Sequence, residues 1–359
     1  MRARMRPAAV LGEARRNLLS GTTRAAVLVA VAATLLGVLA VADVRAVVGV
    51  VQSAAEYRAA AGSVQVLDAP GQVDGARCEA LARVDGVVAA GAVRAGGEVR
   101  SLNLPSTPLT SLEVTPGLGG VLGAQAASAG IWLPHELAVA LGASAGDVLA
   151  TDRGAAVVGA VFAYPADGRD PAPSYAVLEP VPAGAGAFDA CWAEVWPADE
   201  RTTNLLWTVV DADPDAEQPP TLGPLNTTLG RDFDPAALLQ ERVTRFAPWA
   251  ALVVGLALGL VAVRLRRLEL AATLHAGVGR SALAWQVLVE TLCWVLAAAV
   301  VAGAVVAGAA AWHHPAPDVA VWWTGMRTVA VGLVAVLGGA VGTALATRES
   351  HLFRWFKER

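Results

Sequence analysis

The chain has 359 residues, of which 55% are hydrophobic and 16% are charged, and its mean hydropathy is +0.51. This composition excludes an ordinary soluble domain, which is less apolar, and a chain lying wholly in a bilayer, which carries fewer charges. The net charge of −4 hides an uneven distribution, because residues 43–245 contain 25 acidic and 12 basic side chains while the remainder is basic. We therefore expect membrane spans with basic flanks and one acidic aqueous domain.

Four apolar runs are long enough to cross a hydrocarbon core, which takes about 20 helical residues. The runs cover residues 25–42, 246–263, 284–312 and 328–346. The sequence thus predicts a membrane α-helical protein with four transmembrane helices and a large extracytoplasmic α+β domain inserted between helices 1 and 2. In chain order, the predicted segments are a cytoplasmic amphipathic N-terminal segment (1–24), transmembrane helix 1 (25–50), the extracytoplasmic domain (51–245), transmembrane helix 2 (246–264), a cytoplasmic coupling loop (265–282), transmembrane helix 3 (283–312), a short external loop (313–327), transmembrane helix 4 (328–347) and a cytoplasmic tail (348–359).

Arginine placement sets the expected orientation. The N-terminal segment, the loop between spans two and three and the C-terminal tail are rich in arginine, whereas the loop between spans three and four is not. The positive-inside rule therefore places both termini in the cytoplasm of a multi-pass plasma-membrane protein. The sequence AVA at residues 40–42 also permits a cleaved signal peptide. An uncleaved span is favoured, because the apolar run is longer than a usual signal sequence and residues 43–52 continue as helix.

Within the extracytoplasmic domain, hydrophobic periodicity predicts short strands mixed with a few helices. Helices are expected at residues 74–85, 134–142 and 232–246, and strands at 63–68, on either side of Gly96-Gly97, and at 148–151, 154–165, 174–181, 191–197 and 205–212.

The three cysteines differ in their expected chemistry. Cys78 and Cys191 both fall in the external domain, where an oxidising compartment favours a disulfide, and we predict that they form one. Two buried free thiols are the alternative. Cys293 lies inside span three and is expected to pack as a small apolar residue.

Metal and catalytic constellations are scarce. His313 and His314 near Asp318 are interpreted as a polar turn in an aromatic belt rather than as metal ligands, since a tetrahedral site needs three or four converging groups. The acidic stretch at Asp211, Asp213 and Asp215 lacks the glycine and terminal glutamate of a calcium loop. No nucleophile elbow, zinc-protease motif or P-loop is present, and the only lysine is Lys357. We expect no enzyme active site, no metal and no cofactor in this chain.

Glu290 is expected to be the one acid within reach of the apolar core, near its cytoplasmic boundary, where burial of a charge costs less than at the centre. One interpretation is a polar contact that holds span three against another helix or protomer. The alternative is a side chain that reaches the lipid headgroups.

The stretch from Val263 to Glu290 combines arginines with two glycines. Its pattern predicts a short amphipathic helix that continues from span two, breaks at Gly277 and Gly279, and restarts at Ser281, which could cap span three. Arg266, Arg267 and Arg280 are expected in water or at headgroups. A simple positive-inside anchor is the alternative interpretation.

The pattern R-R-x-E-L-A-x-L-x-A-x-G-x-x-R, followed by a span with an early acid, resembles the cytoplasmic loop of the FtsX/MacB family of ABC-transporter permeases. The N-terminal ARRNLLSGTTRAAVLVAVA is similar to the family's lead-in to its first span, and residues 133–162 are similar to its outer domain. The loop residues that carry the resemblance are Arg266, Arg267, Glu269, His275, Gly277, Gly279 and Arg280, with Glu290 in the acid position. His275 stands where the family usually has an arginine.

The resemblance implies a dimeric permease of the mechanotransmission type. The loop would meet a separate ABC ATPase subunit that binds the ATP, and ATP hydrolysis would drive movements of the external domain. The implied outcome is export or extraction of a lipoprotein, peptide or lipophilic compound, or regulation of a cell-wall enzyme. The implied partners are a second permease chain, in a homo- or heterodimer, and membrane lipid. No nucleic acid is expected to bind. The alternative is a non-transport membrane sensor or scaffold that uses the external domain for ligand or protein binding.

Overall fold

A computed structural model describes residues 7–102, 106–124, 129–211, 218–230, 233–312 and 319–347. The chain divides into two compact units. The helical unit comprises Met1–Val51 and Ala236–Arg359, and the sheet unit comprises Gln52–Pro235.

The helices of the described chain are long in the helical unit and short in the sheet unit. They are α1 (Pro7–Leu19), α2 (Ala25–Ala59), α3 (Gly75–Ala80), α4 (Leu118–Leu122), α5 (His135–Leu141), α6 (Glu200–Asn204), α7 (Pro235–Glu241), α8 (Ala247–Arg264), α9 (Arg267–His275), α10 (Arg280–Ala311) and α11 (Val319–Ala346). Short 3₁₀ helices lie at Leu81–Arg83, Ala172–Tyr175, Leu205–Val209, Thr227–Leu229 and Val243–Phe246.

In the part of the chain that the structure describes, four helices are long and apolar enough to cross a membrane, namely α2, α8 with its preceding 3₁₀ turn, α10 and α11. This number agrees with the prediction, and the chain has the character of a multi-pass membrane protein. The predicted bounds differ from the structure at several places. Helix α2 continues to Ala59, beyond the predicted end at residue 50, and α10 begins at Arg280, before the predicted start at residue 283. Residues 319–327, expected in an external loop, form the first turns of α11 and include Arg327. A single arginine near a helix end is tolerated because its long side chain can reach polar surroundings.

Close packing of α8 against α11 depends on glycine. A Cβ atom on Gly259 would lie 2.2 Å from the carbonyl oxygen of Val336, and one on Gly339 would lie 2.4 Å from that of Leu256. The two backbones therefore touch directly, as small residues allow in apolar surroundings.

The sheet unit is built on a mixed sheet of nine strands, which confirms the prediction of one large mixed α and β domain. The strands are β1 (Val64–Asp74), β2 (Val87–Arg100), β3 (Pro108–Val114), β4 (Ile131–Pro134), β5 (Val148–Thr151), β6 (Gly154–Phe162), β7 (Ala176–Pro180), β8 (Ala187–Val195) and β9 (Thr221–Pro224). Their spatial order is β5-β6-β4-β7-β3-β2-β8-β1-β9. The β3–β7 and β4–β6 pairs are parallel, and the other pairs are antiparallel.

Two predicted strands are wrong in detail. The strand pair expected around Gly96-Gly97 is one long strand, β2, whose pairing with β3 shifts register between Ala95 and Gly97. A glycine with positive φ at position 97 lets the strand bulge instead of reversing. The expected strand at 205–212 is a 3₁₀ helix at Leu205–Val209, which buries Leu206 and Val209 against the sheet. A short apolar run fits either structure, and packing decides between them.

Candidate functional site

The connecting segment, residues 265–282, joins α8 to α10 through the short helix α9. Leu270 and Leu274 of α9 are buried in a cluster with Leu283 and Val287 of α10. A turn follows, in which Gly277 has a φ of +92°, a conformation that glycine adopts without steric cost. The helix α9 is therefore held on the side of α10 by its apolar face.

The start of α10 differs from the prediction. Gly279 occupies the N-cap position with extended backbone and without a side-chain cap, and Ser281 lies inside the helix. The helix α9 is also separate from α8, because the chain leaves helical geometry at Arg266. A break on each side makes α9 a distinct short helix rather than a continuation of the span.

Glu290 is the centre of a buried polar network. Its exposed fraction is 3%, and Oε1 accepts hydrogen bonds from Asn17 Nδ2 at 2.7 Å and from Gln286 Nε2 at 3.1 Å. Its Oε2 accepts a hydrogen bond from Arg266 Nη1 in an ion pair. A buried carboxylate with an opposite charge and two further donors is satisfied, so it has no need to reach the headgroups.

Arg266 lies inside this network, not in water or at headgroups as its sequence context suggested. Its side chain is 11% exposed, and Nε and Nη2 donate to the two carboxylate oxygens of Glu269 at 3.0 and 2.6 Å. Burial alone would lower the pKa of the Arg266 guanidinium, but the hydrogen bonds and charges of Glu269 and Glu290 outweigh it and raise that pKa. The guanidinium therefore stays charged and bridges α9 to α10.

Asn17 brings a third element into the network, and its role was not predicted from the sequence. It lies near the end of α1, which packs against α10, and its carbonyl oxygen accepts hydrogen bonds from Thr22 Oγ1 at 3.0 Å and Ser20 Oγ at 3.3 Å. An asparagine near the end of an amphipathic segment is only a weak indication of a buried contact, since such a residue more often caps a helix or faces solvent. Here it links α1 to Glu290.

Four of the five remaining predicted loop residues are exposed, and Gly279 is half-buried. Arg267, His275 and Arg280 are exposed, as is Gly277 in the turn. The structure thus brings Arg266, Glu269 and Glu290 together and leaves the other charged positions of the segment at the surface. One short helix presents a polar outer face while its inner face is fixed by packing and by an ion pair.

A second buried acid lies in the helical unit, although Glu290 was expected to be the one acid near the apolar core. Asp43 in α2 is fully buried, and its Oδ1 lies 3.4 Å from Nε of Arg242. Its carboxylate oxygens receive no hydrogen bond from the described residues. The predicted continuation of the helix beyond residue 42 was the sequence feature that indicated a buried position for Asp43.

In the sheet unit, Cys78 of α3 and Cys191 of β8 form a disulfide bond. Both residues are fully buried and belong to one apolar cluster with Phe188 and Leu206. The bond joins a helix to an interior strand, the third from one edge of the sheet. Cys293 is a free thiol with an exposed side chain on α10.

Among the described residues, no group of three or more histidine, cysteine, aspartate or glutamate side chains could hold a metal ion. Asp211 forms an ion pair with Arg77 at 2.8 Å. Asp213, Asp215, His313, His314 and Asp318 lie outside the described residues.

Comparison with known proteins gives resemblances only among solved structures. No family model and no curated protein matches the chain. The periplasmic region of MacB from Actinobacillus actinomycetemcomitans aligns over 47% of this chain and 92% of its own length, at 9% identity and a TM-score of 0.34. A domain of a protein described as a permease from Porphyromonas gingivalis aligns over 51% and 98%, at 17% identity and a TM-score of 0.33. The extracellular domain of the noncanonic ABC-type transporter YknZ from Gram-positive bacteria aligns over 40% and 91%, at 13% identity and a TM-score of 0.28. Similarity at this level assigns neither a family nor a function to the chain.

Proposed function

We propose that the chain is the permease subunit of an ABC-type complex and that a separate ATPase subunit docks on the connecting segment. The observation that carries the proposal is the construction of α9. Its outer face is polar and exposed, while Leu270 and Leu274 fix its inner face to α10. Because α9 is packed on α10, a force that a partner applies to α9 would be passed on to α10.

The buried network supports transmission of such a push. Arg266 is bonded to Glu269 on α9 and to Glu290 on α10, and Asn17 on α1 bonds to the same Glu290. Displacing α9 by itself would strip a partner from a buried carboxylate, which costs several kcal/mol, about 3–5. Motion of α9 is therefore coupled to α1 and α10.

In this proposal, the sheet unit is the part that contacts the cargo or the target enzyme. Helix α2 is continuous over 35 residues, which is more than the roughly 20 that a bilayer core requires. It is therefore longer than the apolar layer requires. The cargo in this proposal is a lipoprotein, a peptide or a lipophilic compound released outside the cell, or the target is a cell-wall enzyme, and the complex contains two permease chains.

The test compares added negative charge on the docking face with added negative charge elsewhere. The variant His275→Glu/Arg280→Glu changes exposed residues of the segment, and Arg83→Glu/Arg201→Glu changes two exposed arginines of the sheet unit. Each variant is co-expressed with each ABC ATPase subunit of the source genome in turn. We expect the docking-face variant to weaken co-purification at least about tenfold, which corresponds to about 1.4 kcal/mol, and to abolish stimulation of ATP hydrolysis, with the control unchanged.

Two further variants probe the segment from inside. Glu269→Arg would reverse the charge that faces Arg266, and Gly277→Leu would force a branched side chain into a left-handed turn. If both variants keep complex formation and ATPase stimulation intact, the segment has no coupling role. Absence of any ATPase partner for the unaltered chain would favour the alternative of a membrane sensor or scaffold.

A further inference from the structure

A groove of about 500 Å³ crosses one face of the sheet in the sheet unit. Its floor is formed by apolar side chains of neighbouring strands, among them Val66 of β1, Val93 of β2, Leu112 of β3 and Trp192 of β8. One wall is the proline-rich stretch at residues 171–173. We call this feature the sheet groove. Its volume is within the range of about 300–1,000 Å³ that is typical of small-molecule sites.

Three aspartates line the sheet groove, and two of them, Asp68 and Asp189, lie on neighbouring strands, while the third, Asp170, accepts a hydrogen bond from the backbone N–H of Ala172. Asp68 of β1 pairs across the ladder with Ala190, the residue next to Asp189 of β8. Partial burial, and secondarily the charge of Asp189, raises the pKa of the Asp68 carboxyl above its ordinary value. The two acids lie on neighbouring strands and line the same groove.

The two carboxylates differ in how they are held. Asp189 Oδ1 accepts a hydrogen bond from the backbone N–H of Gly71 at 3.0 Å, and Oδ2 accepts one from that of Ala95 at 2.9 Å. Within the described part of the chain, no donor is bonded to the exposed carboxylate of Asp68. One acid is therefore fixed by the backbone, and its neighbour is available to a ligand.

The arginines that border the groove do not neutralise this pair. Arg94 donates from Nε to Glu113 at 2.6 Å, and Arg169 donates from Nε and Nη2 to Asp167 at 2.8 and 2.6 Å. Neither Glu113 nor Asp167 lines the groove. Each arginine is thus balanced by an acid outside the groove, and the groove keeps an excess of negative charge.

We propose that the sheet groove binds a small lipophilic cation, an amine protonated at neutral pH and carried on an apolar or aromatic body. The apolar floor matches the body, and Asp68 with Asp189 matches the ammonium group. An anion would meet two like charges, and a neutral ligand would leave the acid pair uncompensated. The proposal depends on the sheet unit alone and holds whether or not an ATPase docks on the connecting segment.

The experiment measures binding of dansylcadaverine, an aromatic primary amine, to the full chain in phosphatidylcholine nanodiscs by equilibrium dialysis, with empty nanodiscs subtracted. Its N-acetylated form keeps the aromatic body and loses the charge. We expect saturable binding of the amine, and at least about fivefold weaker binding of the acetylated form.

Variants locate the site. Asp68→Asn removes the charge without removing a hydrogen bond, and Glu136→Gln removes one exposed charge from α5, outside the groove. Ala172→Trp fills the groove from its wall. We expect about three- to fivefold weaker amine binding in Asp68→Asn, a larger loss in Ala172→Trp, and no change in Glu136→Gln. Equal binding of the amine and its acetylated form, absence of saturable amine binding, or unchanged affinity in both groove variants would each overturn the proposal.

Discussion

Arg266 and Glu290 form a buried ion pair that joins the segment between two long helices to the interior of the second helix. The two residues are separated by 24 positions in the sequence, and Asn17 bonds to the same carboxylate from a distance of 273 positions. Because a buried charge is stable only with its partners in place, the pair fixes where α9 and α1 lie relative to α10. It is the polar counterpart of the apolar contact made by Leu270 and Leu274.

Removing one partner of this pair should destabilise the helical unit strongly. Arg266→Met leaves Glu290 buried with only the two amide donors, and we expect a loss of about 3–5 kcal/mol. The double variant Arg266→Met/Glu290→Gln removes both charges and should recover most of that loss. The measurement is the thermal midpoint of the purified chain in detergent, followed by size-exclusion chromatography of heated samples. If the thermal midpoint of the double variant is no higher than that of the single variant, the ion pair is not the cause of the loss of stability.

Gly339 and Gly342 of α11 form a matched pair for testing the contact with α8. A Cβ atom at Gly339 would lie 2.4 Å from the carbonyl oxygen of Leu256, whereas one at Gly342 would meet nothing within 4 Å. Alanine is the better helix former by about 1 kcal/mol, so Gly342→Ala should be neutral or stabilising. Gly339→Ala should lower the thermal midpoint, since α8 and α11 must move apart. Equal midpoints for the two variants would contradict direct contact between the backbones.

The disulfide between Cys78 and Cys191 should stabilise the sheet unit, because it closes a loop of 113 residues in the unfolded chain. Replacing both cysteines by alanine should cost about 2–4 kcal/mol. Cys293→Ala is the control, since its thiol is unpaired and exposed. In denaturant, a maleimide reagent should label one cysteine of the chain before reduction and three after it. Three labelled cysteines without reduction would exclude the bond.

The sequence predicted those features that depend on local pattern. The apolar runs predicted four long helices, and the alternation of short segments predicted a mixed sheet domain. Hydropathy could not predict the burial of Arg266, because the cost of burying a charge depends on partners that only the fold supplies, here Glu269 and Glu290. The prediction of a strand at 205–212 was wrong for a related reason. An apolar run indicates that a segment is buried, but it does not indicate whether the backbone is a strand or a helix.

The sheet groove could not be predicted from the sequence either. Asp68 and Asp189 are separated by more than a hundred positions and meet because β1 and β8 are neighbours in the sheet. Neither acid belongs to a recognisable motif, and the count of acids in residues 43–245 gave only an overall negative charge. Strand order, which short-range patterns do not encode, decides which charges share a face.

Acid should weaken the sheet unit through Asp167. The Arg169 guanidinium donates two hydrogen bonds to this carboxylate and holds the pKa of Asp167 below its ordinary value, although partial burial opposes the shift. The folded state therefore binds the proton less tightly than the unfolded state. The stabilisation is complete above the ordinary aspartate pKa of about 3.9 and is lost as the pH falls through the lower pKa of the folded state.

Asp167→Asn should accordingly be less stable than the unaltered chain at about pH 6, and the difference should shrink as the pH falls towards about 3. Asp85→Asn changes an exposed aspartate of the same unit and should follow the unaltered chain throughout. The thermal midpoint of the full chain, monitored by tryptophan fluorescence across this range, makes the comparison. A constant difference between Asp167→Asn and the unaltered chain at every pH would mean that the Asp167 carboxylate does not titrate differently in the folded and unfolded states, and the bidentate contact with Arg169 would then contribute through geometry alone.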